Sequence, residues 1–180
     1  MMTDNRTNAY RAARRAFIAA CETAGVDAIA RVAPGQGADG RPLFMDAAAL
    51  GARTARKAAL VIADDAPGSA VLTQLLRKGV RPAPDARLVL LHAFDPARFA
   101  GAVSDGAWAL DMLGAVATED LSKVRTLKVL TLARHGETDA MHRILAARLP
   151  DAEIGITVLM PDMEPLRDRL ARFPGILSAD

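Results

Sequence analysis

Cysteine occurs once in this sequence, at Cys21, so neither an internal disulfide framework nor a cysteine-based zinc cluster can form. Aromatic residues supply only 4% of the 180 positions although 51% are hydrophobic. The 38 alanines account for much of the difference, so the core is expected to be aliphatic and built from small side chains. Lysine is scarce too: of 23 basic residues, 19 are arginine, a bias that fits high-GC coding better than a binding signal. Charge of one sign is nearly absent in sum. A net charge of +2 is too small to argue for nucleic acid or a membrane surface. Long apolar runs are missing as well. The stretch Ala58–Ala63 is about a third of the roughly 20 residues a bilayer span requires. The first fifteen residues carry four arginines and no apolar run, which is not the pattern of a secretory signal. The expectation is one cytoplasmic domain spanning residues 1–180, with a small molecule or a protein as partner and no cofactor.

What is present is an alternation. Tyr10, Phe17, Ile18 and Cys21 recur at helical spacing, and Gly25 closes that first helix. Val26–Val32 reads as a short strand, the cluster from Pro34 to Gly40 as a turn, and Leu43–Ala47 as the returning strand. The Gly35-Gln36-Gly37 string has no helix start behind it and is not a phosphate loop. Four compact runs rich in Val, Leu and Ile follow: Ala58–Ala63, Arg87–His92, Leu127–Ala133 and Ile154–Met160. Such runs suit strands buried on both faces. Helical patterns cover Pro67–Lys78, Gly106–Val116, Asp139–Leu149 and Met163–Arg172. Strand and helix in alternation predict an α/β three-layer sandwich around a mostly parallel or mixed sheet.

Ligands in such sheets bind beyond the carboxyl ends of the strands. Four segments fall there: the one from Asp64 to Ser69, His92-Ala93-Phe94-Asp95, Arg134-His135-Gly136-Glu137, and Pro161-Asp162. Asp64 and Asp65 precede a helix with proline in its first turn, so capping of that helix is the expected role. A hard-cation site is the alternative, weakened because adjacent side chains diverge. His92 ends a strand, where a histidine is more often hydrogen-bonded structure than base or ligand. Thr138 is the expected cap of the helix after Glu137. Ser69 lacks the glycine two residues on that a nucleophile elbow requires. No local histidine or cysteine spacing makes a zinc motif. Phe99 and Trp108 stand alone and read as core rather than stacking platforms.

Two resemblances give these residues candidate roles. The string Arg134-His135-Gly136-Glu137-Thr138, between an apolar strand and a helix, resembles the signature of the histidine phosphatase family. That resemblance implies phosphate handling, with His135 phosphorylated, Arg134 binding phosphate and Glu137 assisting; His92 could supply the second histidine only in a permuted chain. It covers about 15 residues, from Leu127 to Met141.

A longer likeness runs through the first hundred residues. It begins at Arg11–Phe17 and includes Pro34-Gly35, the segment Asp39–Leu43, Asp46 and Leu50-Gly51. It continues through Leu60-Val61-Ile62, Gly68-Ser69-Ala70, the segment Leu90–Pro96 and Phe99-Ala100. In that order these segments resemble an uncharacterised bacterial branch of the zinc carboxypeptidase-like proteins, related to the succinylglutamate desuccinylase and aspartoacylase group. The resemblance implies a carboxypeptidase-like fold and a His-Gly-x-Glu zinc motif between the strand and the Gly68-Ser69 helix. Here that interval reads Ala63-Asp64-Asp65-Ala66-Pro67, with neither histidine nor glutamate. His135 could take the place of a later zinc histidine, but one histidine does not make the roughly three protein ligands of a catalytic zinc. The segment Gly101–Leu113 also lacks the arginine expected of a substrate-binding stretch. With 180 residues, shorter than either enzyme type, the reading is a degenerate carboxypeptidase-like domain with a binding role. Phosphate hydrolysis through Arg134 and His135 is the alternative.

Overall fold

The computed structural model describes residues 2–132, 137–159 and 165–178. Its first helix, α1 (Met2–Ala24), turns Tyr10, Phe17, Ala20 and Cys21 inward at helical spacing. Gly25 ends it in a left-handed conformation (φ +67°). The amides of Gly25 and Val26 then satisfy the carbonyls of Glu22 and Cys21.

Strands β1 (Ala28–Gln36) and β2 (Pro42–Gly51) form the expected hairpin, but β1 runs through Pro34-Gly35. The register shifts between Val32 and Gln36, so the proline and glycine sit at an irregularity of an edge strand. Proline is tolerated there because no ladder hydrogen bond is demanded of it. The chain continues through β3 (Lys57–Ala63), α2 (Ala66–Arg77), β4 (Ala86–His92), the short α3 (Pro96–Phe99) and α4 (Ala107–Asp120). It closes with β5 (Thr126–Thr131), α5 (Thr138–Arg148), β6 (Glu153–Val158) and α6 (Leu166–Ala171).

The strands join in one mixed sheet of order β1-β2-β4-β3-β5-β6. β4, β3, β5 and β6 are mutually parallel, and β2 meets both β1 and β4 antiparallel. The α/β sandwich read from the sequence is therefore the fold, with the sheet in its mixed form. All seven residues of β4 are buried, as are six of seven in β3, which is why these runs are apolar without alternation.

Alternate side chains feed opposite cores. Val61, Leu88 and Leu90 pack under Phe17 and Cys21 of α1, Leu72 and Leu76 of α2, and Leu170 of α6. Leu60, Ile62, Val89 and Leu91 pack under Leu113 and Val116 of α4 and Met141 and Leu145 of α5. Alanine is common in the sheet and the helix faces (Ala48, Ala59, Ala63, Ala109, Ala117), where it fills the space between larger neighbours. A third cluster joins Tyr10, Leu43, Ala93 and Phe99, with the Tyr10 and Phe99 rings edge to face at 5.5 Å. Phe99 is thus core, as expected. No helix among the described residues is long and apolar enough to cross a membrane.

Candidate functional site

Strands β3, β4 and β5 point their carboxyl ends the same way, and the segments after Ala63, His92 and Thr131 meet there. The two aspartates after β3 take different tasks. Asp65 is the N-cap of α2, its Oδ1 accepting the Gly68 amide at 2.7 Å. Gly68 is required by space, since a Cβ there would lie 3.2 Å from both Ala63 Cβ and Leu132 Cβ. Asp64 does not cap the helix. Its Oδ1 accepts the backbone N–H of Asp95 at 2.6 Å and ties the end of β3 to the turn after β4. Capping therefore holds for one member of the pair and not for the other. The divergence of adjacent side chains separates them.

That turn is tight. Ala93 takes a left-handed conformation (φ +53°), unusual for alanine, and Phe94 donates its amide to the Ala63 carbonyl at 3.0 Å. The chain then presents Asp95, which is buried and doubly used. One carboxylate oxygen caps α3 by accepting the Arg98 amide at 3.1 Å, and the other accepts the Ser104 hydroxyl at 2.6 Å. Ser104 in turn accepts the Gly106 amide. Arg98 reaches across to Glu137, Nη2 to Oε1 at 2.8 Å, and stands 3.6 Å from Asp95. Gly106 leaves room for this pair, because a Cβ would approach both Arg98 Nη2 and Glu137 Oε1 to 3.2 Å.

Burial pushes the Asp64 carboxyl up to about 8, with the Asp95 amide and Arg98 opposing and the charges of Asp95 and Glu137 reinforcing. Asp64 is thus a neutral acid at pH 7, held where the parallel strands end.

Of the residues singled out from the sequence, Glu137 is in this network. It also precedes α5 as its N-cap residue, so the helix starts at Thr138 and Thr138 does not cap it. Arg134, His135, Pro161 and Asp162 lie outside the described residues. His92 is described and lies elsewhere. It pairs with Asp46 across the β2–β4 ladder, so both side chains point to the α1 face. The ring is fully buried, stacked on Phe17 at 4.9 Å, and neither ring nitrogen has a hydrogen-bond partner among the described residues. Its Nδ1 is 3.6 Å from Asp46 Oδ2, and burial lowers its pKa against the pull of that carboxylate. Asp46 is committed to Arg14, whose Nε and Nη2 grip it at 2.8 and 2.9 Å. The structure therefore does not bring His92 together with Glu137. His142 is exposed on α5. Ser69 is buried, its hydroxyl without a partner among the described residues, at the start of α2 rather than on an elbow.

The zinc that the carboxypeptidase likeness implies finds no fitting donor set among the described residues. The carboxylates of Asp65, Asp95 and Glu137 are spent on amides, a hydroxyl and a guanidinium, and Asp64 keeps its proton. No trio of acidic, histidine or cysteine side chains among the described residues is grouped to hold a metal ion.

The sequence pointed to Asp64, Asp65 and Glu137 and missed Asp95 as a hub, Arg98 and Ser104. The Asp95-Pro96 pair, an N-cap followed by proline, was the available signal for α3. Nothing local marks Arg98 as the partner of a residue 39 positions away.

Residues 7–102 match the family model described as "Protein of unknown function (DUF2817)". Among solved structures, the chain is similar to the glutaminyl cyclase of Porphyromonas gingivalis at a TM-score of 0.51. Identity there is 12%, over 90% of this chain and 83% of that one. It is also similar to the glutaminyl cyclase of Macrostomum lignano, at a TM-score of 0.42 and 15% identity, over 88% of this chain and 68% of that one. At 12% identity the first likeness speaks for the fold alone. No curated protein matches the chain.

Proposed function

Because the chain belongs to the DUF2817 family, whose description assigns no activity, we propose a function from the site itself. The domain is a catalytically degenerate relative of the zinc carboxypeptidase-like proteins, on the branch of the succinylglutamate desuccinylase and aspartoacylase group. It works as a cytoplasmic binding domain for a small molecule or a protein, without metallohydrolase activity.

One observation carries this reading. At the carboxyl ends of β3 and β4, where a metallohydrolase needs free ligands, every described carboxylate is already satisfied from within the chain. Asp65 holds α2, Asp95 holds α3 and Ser104, Glu137 holds Arg98, and Asp64 holds the Asp95 amide. To bind zinc these groups would have to release their donors, and the one fully buried donor, the Asp95 amide, would cost about 1–3 kcal/mol if left unpaired. A neutral Asp64 would in addition have to lose a proton that its surroundings retain. The same network leaves Glu137 paired, so it is not free to assist a phosphate-transfer step.

The experiment equilibrates the purified full chain with excess zinc, removes free metal, and measures metal content. Turnover of short peptides, N-acyl amino acids and p-nitrophenyl phosphate is then followed for wild type and His135→Ala. Substoichiometric zinc and no turnover that responds to chelator or to His135→Ala is the expected result. One tightly held zinc per chain with chelator-sensitive hydrolysis overturns the proposal. His135-dependent phosphate release overturns it in favour of phosphate handling.

A further inference from the structure

At the opposite end of the parallel strands the sheet carries a different chemistry. Arg87 is the second residue of β4, an arginine inside an otherwise apolar strand, and its side chain is 4% exposed. It projects to the α4 face, the face of Val89 and Leu91. There its Nη2 meets Asp120 of α4 at 2.5 Å and its Nη1 donates to the Gly51 carbonyl at 2.9 Å. Its Nε is buried and has no partner among the described residues. Beside it the sheet floor is made of small residues, Ala47, Ala49 and Gly51, which leave a groove of about 790 Å3 lined by Arg87 and Asp120.

Three further arginines line this groove from three segments: Arg53 after β2, Arg77 in the last turn of α2, and Arg81 before β4. All three are exposed, and none has an ion-pair partner among the described residues. Asp27 and Asp120 are the acids of the lining, so the groove holds two net positive charges, equal to the net charge of the whole chain. Guanidinium groups converging from separate segments fit oxyanions, which they grip through paired N–H donors. The volume lies within the roughly 300–1,000 Å3 of small-molecule sites.

We propose that this groove binds a small multiply charged oxyanion ligand, a phosphorylated or polycarboxylate metabolite, through Arg53, Arg77 and Arg81. Arg87, neutralised and anchored by Asp120, forms part of the floor between them. The site lies across the sheet from the Asp64–Asp95–Glu137 network and is independent of what that network does.

The test is calorimetric titration and thermal shift of the full chain with pyrophosphate and with citrate, at constant ionic strength set by sodium chloride. Saturable binding of at least one of the two, at a Kd of about 1 mM or tighter, is expected. Pyrophosphate alone identifies a phosphate ligand and citrate alone a carboxylate. The double variant Arg53→Glu/Arg81→Glu changes only exposed side chains and is expected to weaken binding about tenfold or more. Arg15→Glu, on the exposed side of α1, is expected to leave it unchanged. Absence of saturable binding by both anions overturns the proposal, as does equal loss in the Arg15→Glu control or no loss in the double variant.

Discussion

The antiparallel side of the sheet under α1 and the carboxyl end of its parallel strands each bury an aspartate, and the two are managed differently. Asp46 is completely buried but meets Arg14, whose guanidinium arrives from α1, grips both carboxylate oxygens and lies over the Phe44 ring at 4.3 Å. Asp64 is nearly as buried but receives one backbone amide, and Arg98, a guanidinium whose charge reaches it, is spent on Glu137. The first acid is held by a full ion pair, whereas the second is held as a proton-bearing group at about 8. Burial alone does not decide the state of a carboxyl. The donors that follow it into the interior do.

The sharpest way to break this comparison is to remove the guanidinium from the first region. Arg14→Ala leaves Asp46 buried beside His92 with no countercharge, and a loss of about 3–5 kcal/mol is expected in urea unfolding. A loss below about 1 kcal/mol would mean that the pair is a surface decoration, as weak as exposed pairs are.

The second region is tested by pH. The unfolded Asp64 ionises near 3.8 and the folded one at about 8, so between these values the folded chain keeps a proton that the unfolded chain releases. Stability drawn from this group is complete below the unfolded value and lost as pH rises toward 8. Asp64→Asn removes that slope. At pH 8 the variant is expected to exceed wild type by more than about 1.4 kcal/mol, one pKa unit of linkage, with the gap closing toward pH 4. Parallel profiles for the two proteins from pH 4 to 9 would refute a neutral Asp64.

Next in size is the neighbour of Asp64. Asp65→Ala removes the α2 cap and is expected to cost about 1 kcal/mol at every pH above 5, measured by the same unfolding curves. A slope resembling that of Asp64→Asn would show that the two aspartates share one role. The smallest effect belongs to a pair in full solvent. Arg125 and Asp151 meet at 2.6 Å but with side chains 50% and 73% exposed, so Asp151→Asn is expected to change stability by less than about 0.5 kcal/mol.

Much of this was legible along the chain because it is local. The Asp65-Ala66-Pro67 cap, the Gly25 stop of α1 and the unbroken apolar runs of β3 and β4 are governed by neighbours a few residues away. α3 was less legible, since four residues carry almost no periodicity. The site was legible only in outline. The segments after β3 and β4 were marked by topology, yet that Asp64 ties an amide 31 positions away instead of capping α2, and that burial there keeps its proton, was decided only in space. His92 shows the limit from the other side. Its place at a strand end suggested a hydrogen-bonded structural residue, with base or ligand as the lesser reading, and its side of the ladder turns it under α1 against Phe17.

By itself, then, the sequence determined the α/β alternation, the small-residue core and the exclusion of an internal disulfide or a cysteine-based zinc cluster, because apolar periodicity, caps and composition act at short range. Tertiary structure alone decided which charges are met and which are not: Arg14 on Asp46, Arg87 on Asp120, Arg98 on Glu137 rather than on Asp64, and, among the described residues, no acid on Arg53, Arg77 or Arg81. Those pairings join residues 32, 33 and 39 positions apart. A Coulomb interaction reads distance through space, which no spacing along the chain encodes.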